Sequence, residues 1–207
     1  MRAFIYVGGD VFPDRKTIPA PQGDDLTIAA DSGWLNARRL GVTPRTVVGD
    51  LDSLGEGKLP SDTELIRLPV EKDYTDTQQA VEVAIERGAG EIVIVGGISG
   101  RIDHTLANFG ILEDLSLRGV YASICDGRQR VRFLRGSSVI VGRGYKYLSV
   151  IAADEKVKGL EIDGTKYKLK NGTLTRRLQY AVSNEIEGNC ALVSARKGAY
   201  YLIETGD

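Results

Sequence analysis

Cysteine and histidine are scarce in this chain of 207 residues: two of the first, one of the second. Cys125 and Cys190 cannot build a disulfide scaffold, no C-x-x-C pair offers a zinc site, and both read as small core residues. His104 is the sole imidazole, so any His-based triad or His-rich metal centre shrinks to a single residue. No Ser/His/Asp set stands out, which argues against nucleophilic hydrolase chemistry. Neither charge dominates: 27 Lys and Arg face 28 Asp and Glu, for a formal net charge of -1. That balance argues against a basic nucleic-acid binder and a polybasic membrane-surface protein. No apolar run nears the roughly 20 residues that span a bilayer. The opening Met1–Asp10 has too short an apolar run for a signal peptide. The expected location is the cytoplasm, with neither membrane nor nucleic acid as partner.

What is present is an ordinary folding composition, 42% apolar and 27% charged, enough for one or two domains. Up to about residue 120, short apolar runs alternate with helical spacing. The runs are Phe4–Val7, Leu26–Ala30, Thr46–Val48, Leu65–Leu68 and Glu91–Val95, most of them stopped by Gly or Asp. Continuous runs of this length suit strands buried on both faces. Between them, Trp34–Leu40, Asp76–Arg87 and Asp103–Leu117 carry helical periodicity. Residues 1–120 are therefore predicted to form a doubly wound, mainly parallel α/β layer. From Tyr121 the texture changes to short β-like runs punctuated by Gly, Asn and Asp. Those runs include Ala122–Cys125, Thr165–Leu169 and Tyr200–Ile203, with hairpin signals at Asp163-Gly164 and Asn171-Gly172. Residues 121–207 read as an antiparallel β-sandwich.

The chemistry lies in the distribution of aspartate. Asp31, Asp50, Asp52, Asp73 and Asp76 sit where a strand run ends or a helix run begins, and Asp103 opens the last helix. Ligands of open α/β sheets bind beyond the carboxyl ends of the strands. In extended backbone, Asp50 and Asp52 point the same way. Two such carboxylates repel each other unless a cation sits between them, and hard oxygen ligands suit Mg²⁺. The pair reads equally as a solvated turn. Asp73 or Thr75 can cap the helix beginning near Asp76, whose carboxylate could instead reach the same metal. In Gly96-Gly97-Ile98-Ser99-Gly100-Arg101-Ile102-Asp103-His104, three glycines follow a strand and precede a helix. Such a loop lets backbone amides approach a ligand, and Arg101 adds a cation suited to phosphate. His104 reads as a hydrogen-bonding packer, and Trp34 as core rather than a base-stacking surface. Ser183 and Asn184 belong to a polar cluster in the β half. A carboxylate-rich Mg²⁺ site beside a glycine–arginine loop points to transfer of a phosphoryl-type group from a nucleotide.

Four motifs now stand in order: Asp31-Ser32-Gly33, Gly49-Asp50-Leu51-Asp52-Ser53, Lys72-Asp73-Tyr74-Thr75-Asp76, and the Gly96 to His104 segment extended by Asn108. Together with Val157-Lys158-Gly159-Leu160 and Val182-Ser183-Asn184-Glu185, they resemble the thiamine pyrophosphokinase family over nearly the whole chain. The resemblance implies transfer of the β,γ-pyrophosphoryl group of ATP to the hydroxyl of thiamine, with release of AMP. It implies Asp50, Asp52 and Asp76 as Mg²⁺ ligands, and Asp31, Thr75, Ser99, Gly100 and Arg101 at the nucleotide. It places Asp103, Ser183 and Asn184 at thiamine. On physical grounds a carboxylate near the attacking hydroxyl, Asp73 or Asp76, could accept its proton. It also implies a homodimer whose thiamine sites draw on both chains. Animal members stack an aromatic residue on thiamine after the Ser-Asn pair; Glu185-Ile186-Glu187-Gly188 supplies none. The rival readings are a Mg²⁺-dependent nucleotide-sugar transferase using the D-x-D pair, and a non-catalytic nucleotide or vitamin sensor.

Overall fold

The structure is a computed structural model that describes residues 1–14, 17–49, 59–67, 73–136, 138–142 and 144–206, the side chains of 138–141 excepted. The chain divides into two compact units, Met1–Gly127 and Arg128–Asp207.

The first unit is built on parallel strands: β1 (Arg2–Tyr6), β2 (Leu26–Ala30), β3 (Thr46–Gly49), β4 (Glu64–Arg67), β5 (Glu91–Val95) and β6 (Tyr121–Cys125). They lie in the order β6-β5-β1-β2-β3-β4, and every pairing is parallel. β1 is central, with Tyr6 level with Ala29 on one side and Val95 on the other. Phe4, Ile5, Ile28 and Ile94 are fully buried, as expected where helices cover both faces.

Helix α1 (Gly33–Arg39) joins β2 to β3, α2 (Asp76–Glu86) joins β4 to β5, and α3 (Ile102–Leu117) joins β5 to β6. Trp34 and Ala37 of α1 pack on Phe4, Tyr6, Ala29, Val47 and Val93, so Trp34 is a core residue. Strand alternation turns Ile5, Ile28 and Ile94 to the opposite face. Right-handed crossovers running the other way carry α2 and α3 there. α2 meets that face with Ala80, Val81 and Ala84, and α3 with Ile111, Leu112 and Leu115. The Arg118 guanidinium binds both carboxylate oxygens of Glu82, at 2.6 and 2.9 Å, tying α3 to α2.

The run at Tyr121–Cys125 pairs in parallel with β5, so the division falls at Gly127, past the change of texture at Tyr121. β6 lacks the continuous burial of β5: it is exposed at Tyr121 and buried only at Ile124 and Cys125.

The second unit has two antiparallel sheets. One orders β12 (Asn184–Glu185), β9 (Tyr147–Ala152), β14 (Ala199–Thr205) and β7 (Gln129–Arg135). The other orders β11 (Leu169–Thr175), β10 (Lys156–Asp163), β13 (Cys190–Ser194) and β8 (Ser138–Val141). Leu148, Val150, Tyr200 and Leu202 of the first meet Val157, Leu160, Leu174 and Val193 of the second in a shared core, a sandwich. Glu204 continues the inward row of β14 and is wholly buried, held by Arg130 and Arg132 of β7. Pairing two guanidiniums with the carboxylate is what makes a charge tolerable there.

Three readings are corrected. Asn171-Gly172 is not a hairpin turn: both residues lie inside β11, where the register with β10 shifts. Asn171 takes a positive φ of 53° and a Cβ on Gly172 would stand 2.6 Å from Leu169 Cδ2, so this pair builds a bulge. Thr165–Leu169 is mostly the connection between β10 and β11, while β10 itself shows no run of uniform polarity because Gly159 and Lys158 interrupt it. Cys190 is exposed, unlike Cys125. Among the described residues no helix is long and apolar enough to cross a membrane.

Candidate active site

From β1 the chain steps outward through β2, β3 and β4, then returns to the far side of β1 as β5. The two directions part between β1 and β5, the place where open α/β sheets bind ligands. The loops that follow these two strands are laced together there. Gly97 N donates to Gly8 O at 2.8 Å, and Asp10 N donates to Ser99 Oγ at 2.7 Å. Gly96 has a φ of +98°, and a Cβ on it would stand 2.8 Å from Val7 O, so only glycine permits this approach.

Between the loops lies a cleft of about 250 Å³. The β1 loop contributes Gly8 and Gly9, and the β5 loop contributes Gly97, Ser99, Gly100 and Arg101. Thr77 enters from the first turn of α2, and His104 and Asn108 from α3. Glycine loops, one guanidinium and a helix N-terminus are a set that receives phosphate.

The predicted residues fall as follows. Ser99, Gly100 and Arg101 line the cleft. Asp103 stands beside it, its carboxylate bound by Arg101 Nε at 3.1 Å and Nη2 at 2.5 Å. That guanidinium holds the Asp103 carboxyl below its ordinary range, and the carboxylate in turn raises Arg101. His104 is exposed and lines the cleft, so it is not the packer expected. Thr75 caps α2: its Oγ1 accepts from Gln78 N at 3.2 Å while Gln78 Oε1 accepts from Thr75 N at 3.0 Å. Asp76 is the first residue of that helix and half-buried, and Asp73 is exposed before it. Asp31 ends β2 at a positive φ of 48°, its N–H donating to Val48 O at 2.9 Å. A Cβ on Gly49 would lie 3.4 Å from Asp31 Cα, so Asp31 adjoins the end of β3. Asp50 and Asp52 lie outside the described residues.

Ser183 and Asn184 belong to the second unit. Ser183 is exposed at a positive φ of 56°, its N–H donating to Ser149 Oγ at 2.9 Å. Asn184 is buried and its amide is occupied within the unit. Oδ1 accepts from Tyr167 N at 3.0 Å, and Nδ2 donates to Thr165 Oγ1 at 3.0 Å and Tyr167 O at 2.7 Å.

Sequence reasoning passed over Gly8, Gly9, Thr77 and Asn36 as site residues. One signal was there: Gly8-Gly9 closes the first apolar run as Gly96-Gly97 closes the fifth. Nothing local marks Asn36 as more than a polar residue in a short helix.

Comparison with known proteins gives two family matches. "Thiamin pyrophosphokinase, catalytic domain" matches residues 21–121, and "Thiamin pyrophosphokinase, vitamin B1 binding domain" matches residues 138–200. The thiamine pyrophosphokinase of Bacillus subtilis (strain 168) is 27% identical over 188 residues, 88% of each chain. The crystal structure of thiamine pyrophosphokinase from Bacillus subtilis matches with a TM-score of 0.88 at 25% identity, covering 100% of both chains. That of a thiamin pyrophosphokinase family protein from Enterococcus faecalis matches with a TM-score of 0.84 at 29% identity, again over 100% of both. With a family match on each unit and relatives aligned nearly end to end, this chain belongs to the thiamine pyrophosphokinase family.

Proposed function

We propose that this chain makes thiamine diphosphate by moving the β,γ-pyrophosphoryl group of ATP onto the hydroxyl of thiamine. The oxygen of that hydroxyl forms a bond to the β-phosphorus, and the bond from the β-phosphorus to the α,β-bridging oxygen breaks. AMP leaves with the bridging oxygen. The hydroxyl proton passes to a carboxylate at the start of α2, Asp73 or Asp76. The observation that carries the reading is the cleft between the β1 and β5 loops, with Arg101 on its wall and Thr77 of α2 entering it. Phosphoryl-type transfer asks for little beyond such positioning and charge neutralisation.

In this reading Asp31, Thr75, Ser99, Gly100 and Arg101 serve the nucleotide, and Asp103, Ser183 and Asn184 serve thiamine. Thr75 and Asn184 act through the backbone they hold, given the bonds already engaged on their side chains. The hard oxygen donors of Asp50, Asp52 and Asp76 suit Mg²⁺. Asp76 fits that role by its half-buried place one residue before Thr77 of the cleft. When bound, Mg²⁺ would neutralise polyphosphate charge. The homodimer that the resemblance implies, and a cytoplasmic location beside the ATP pool, complete the proposal.

Incubation with ATP, Mg²⁺ and thiamine should yield AMP and thiamine diphosphate in equal amounts. ADP with thiamine monophosphate would make this a single-phosphoryl kinase and overturn the reading. Chelation should stop turnover and Mg²⁺ should restore it.

A further inference from the structure

The wall of the cleft that the β1 loop provides rests on one side chain beneath it. Asn36 lies in α1 and is buried to 4% exposure, where an amide must find partners. Its Nδ2 donates to Val7 O at 2.8 Å and to Gly9 O at 2.7 Å. β1 ends at Tyr6, so this amide takes over where the strand ladder stops. Both protons are spent on carbonyls two residues apart, which bridges Gly8 and fixes the Gly8-Gly9 turn. Gly9 there has a φ of +95°, and a Cβ on it would stand 3.2 Å from both Gly97 N and Ser99 Oγ. Asn36 does not line the cleft; Gly8 and Gly9 do.

We infer that Asn36 is a positioning residue for the nucleotide site and that the β1 loop it holds is that site's second wall, facing Gly97 to Arg101. The catalytic-domain match begins at residue 21, so β1 and its loop stand outside it. The far wall repeats the device: buried Asn108 of α3 donates to Gly97 O at 3.0 Å. Each glycine loop is thus backed by a buried amide on a different helix. A loop released from its amide must be ordered by the nucleotide on binding, and that ordering is taken from affinity. The inference rests on reading the cleft as the ATP site.

The test replaces Asn36 with Leu and with Ser, and separately makes Gly9→Ala, which disturbs the same loop from the cleft side. In folded variants the ATP KM and the Kd of a non-hydrolysable ATP analogue should rise about tenfold. The thiamine KM should stay within about twofold. Equal increases in both KM values would mark Asn36 as merely structural, and unchanged ATP binding would remove its role; either overturns the inference. Hydrogen exchange on the unaltered protein makes the test independent of variant folding. The ATP analogue should slow exchange across residues 8–10, and no slowing would overturn the loop as a wall. A protein that binds no ATP analogue overturns the reading of the cleft; one that binds it with an unresponsive loop overturns only this inference.

Discussion

Arg101 and Asp103, two residues apart, hold each other in a two-pronged ion pair, Nε to Oδ1 at 3.1 Å and Nη2 to Oδ2 at 2.5 Å. The first is the cation proposed for the nucleotide, the second the anion proposed for cationic thiamine. Each therefore occupies the other's ligand position. Both side chains are exposed, so water screens the pair and a polyphosphate can compete for the guanidinium. Taking Arg101 away leaves Asp103 open to a cation. A non-hydrolysable ATP analogue should accordingly tighten thiamine binding several-fold in calorimetry, and thiamine should tighten the analogue by the same factor. Arg101→Ala should raise the ATP KM by roughly tenfold and abolish the coupling. Asp103 is held below its ordinary range by Arg101, so the pair persists above the unfolded carboxyl value and is lost only as pH falls through the lowered one. The coupling should therefore be flat from neutral pH upward. Thiamine affinity that ignores the nucleotide would sink this account.

Thr75 tests whether a side chain serves the site directly or through a helix. Its hydroxyl and the Gln78 amide cap each other's backbone at the start of α2, the helix that brings Thr77 to the cleft. Thr75→Ala should lower stability by about 1 kcal/mol and raise the ATP KM, since the first turn frays. For a chain of this size the Tm should drop by about 2–4 °C. Thr75→Asn restores a cap without a hydroxyl. It should recover Tm and KM together; recovery of Tm alone would instead place the hydroxyl on the phosphates.

Much of this was legible because burial on both faces writes itself into sequence. β1, β2 and β5 are continuous apolar runs, and the glycines after β1 and β5 mark where the chain turns. The site was half legible. Arg101 and the Gly96 loop advertise themselves by composition. Gly8-Gly9 does not become a wall until β1 is known to lie beside β5, a pairing between residues far apart in the chain. Asn36 is invisible for the same reason, since its partners Val7 O and Gly9 O are backbone atoms brought to it by folding. β10 was obscured by its own composition: Lys158 and Glu161 face outward and Gly159 bends the backbone with a φ of 65°. Asn171-Gly172 carries the letters of a hairpin turn, yet the register of β10 against β11 uses the same positive φ for a bulge.

Tyr200 gives the second unit an alkaline limit. Its ring is fully buried in the sandwich and its hydroxyl donates to Gly136 O at 2.8 Å. Burial pushes its pKa from 10.0 up to about 12, so the folded state keeps a proton that the unfolded chain releases. The stabilisation is complete below the unfolded value of 10.0 and disappears as pH rises through about 12. Up to about 3 kcal/mol is at stake over that window. Tyr200→Phe should flatten the fall in Tm between those values, and near-ultraviolet absorbance should show one late-titrating phenol fewer. An unaltered alkaline profile would assign the limit elsewhere, with Tyr6, also raised by burial, the next to replace.

Ser183 and Asn184 are neighbours in sequence with opposite surroundings, and their variants should separate cleanly. Ser183 is exposed, so Ser183→Ala removes a hydroxyl that the fold does not bury. Its Tm should hold within a few degrees while the thiamine KM rises more than the ATP KM. Asn184 is buried and its amide carries three bonds to the Thr165–Tyr167 turn. Asn184→Ala leaves Tyr167 N, Tyr167 O and Thr165 Oγ1 without that partner, a loss of about 1–3 kcal/mol. Thermal unfolding should show the drop, and exchange of the Tyr167 amide should quicken. Its effect on the thiamine KM then comes through the displaced turn, so it should fade as temperature is lowered away from the variant's Tm. The Ser183→Ala effect has no such origin and should not change with temperature in that way. If both variants lose stability equally, Ser183 is part of the scaffold rather than a contact for thiamine.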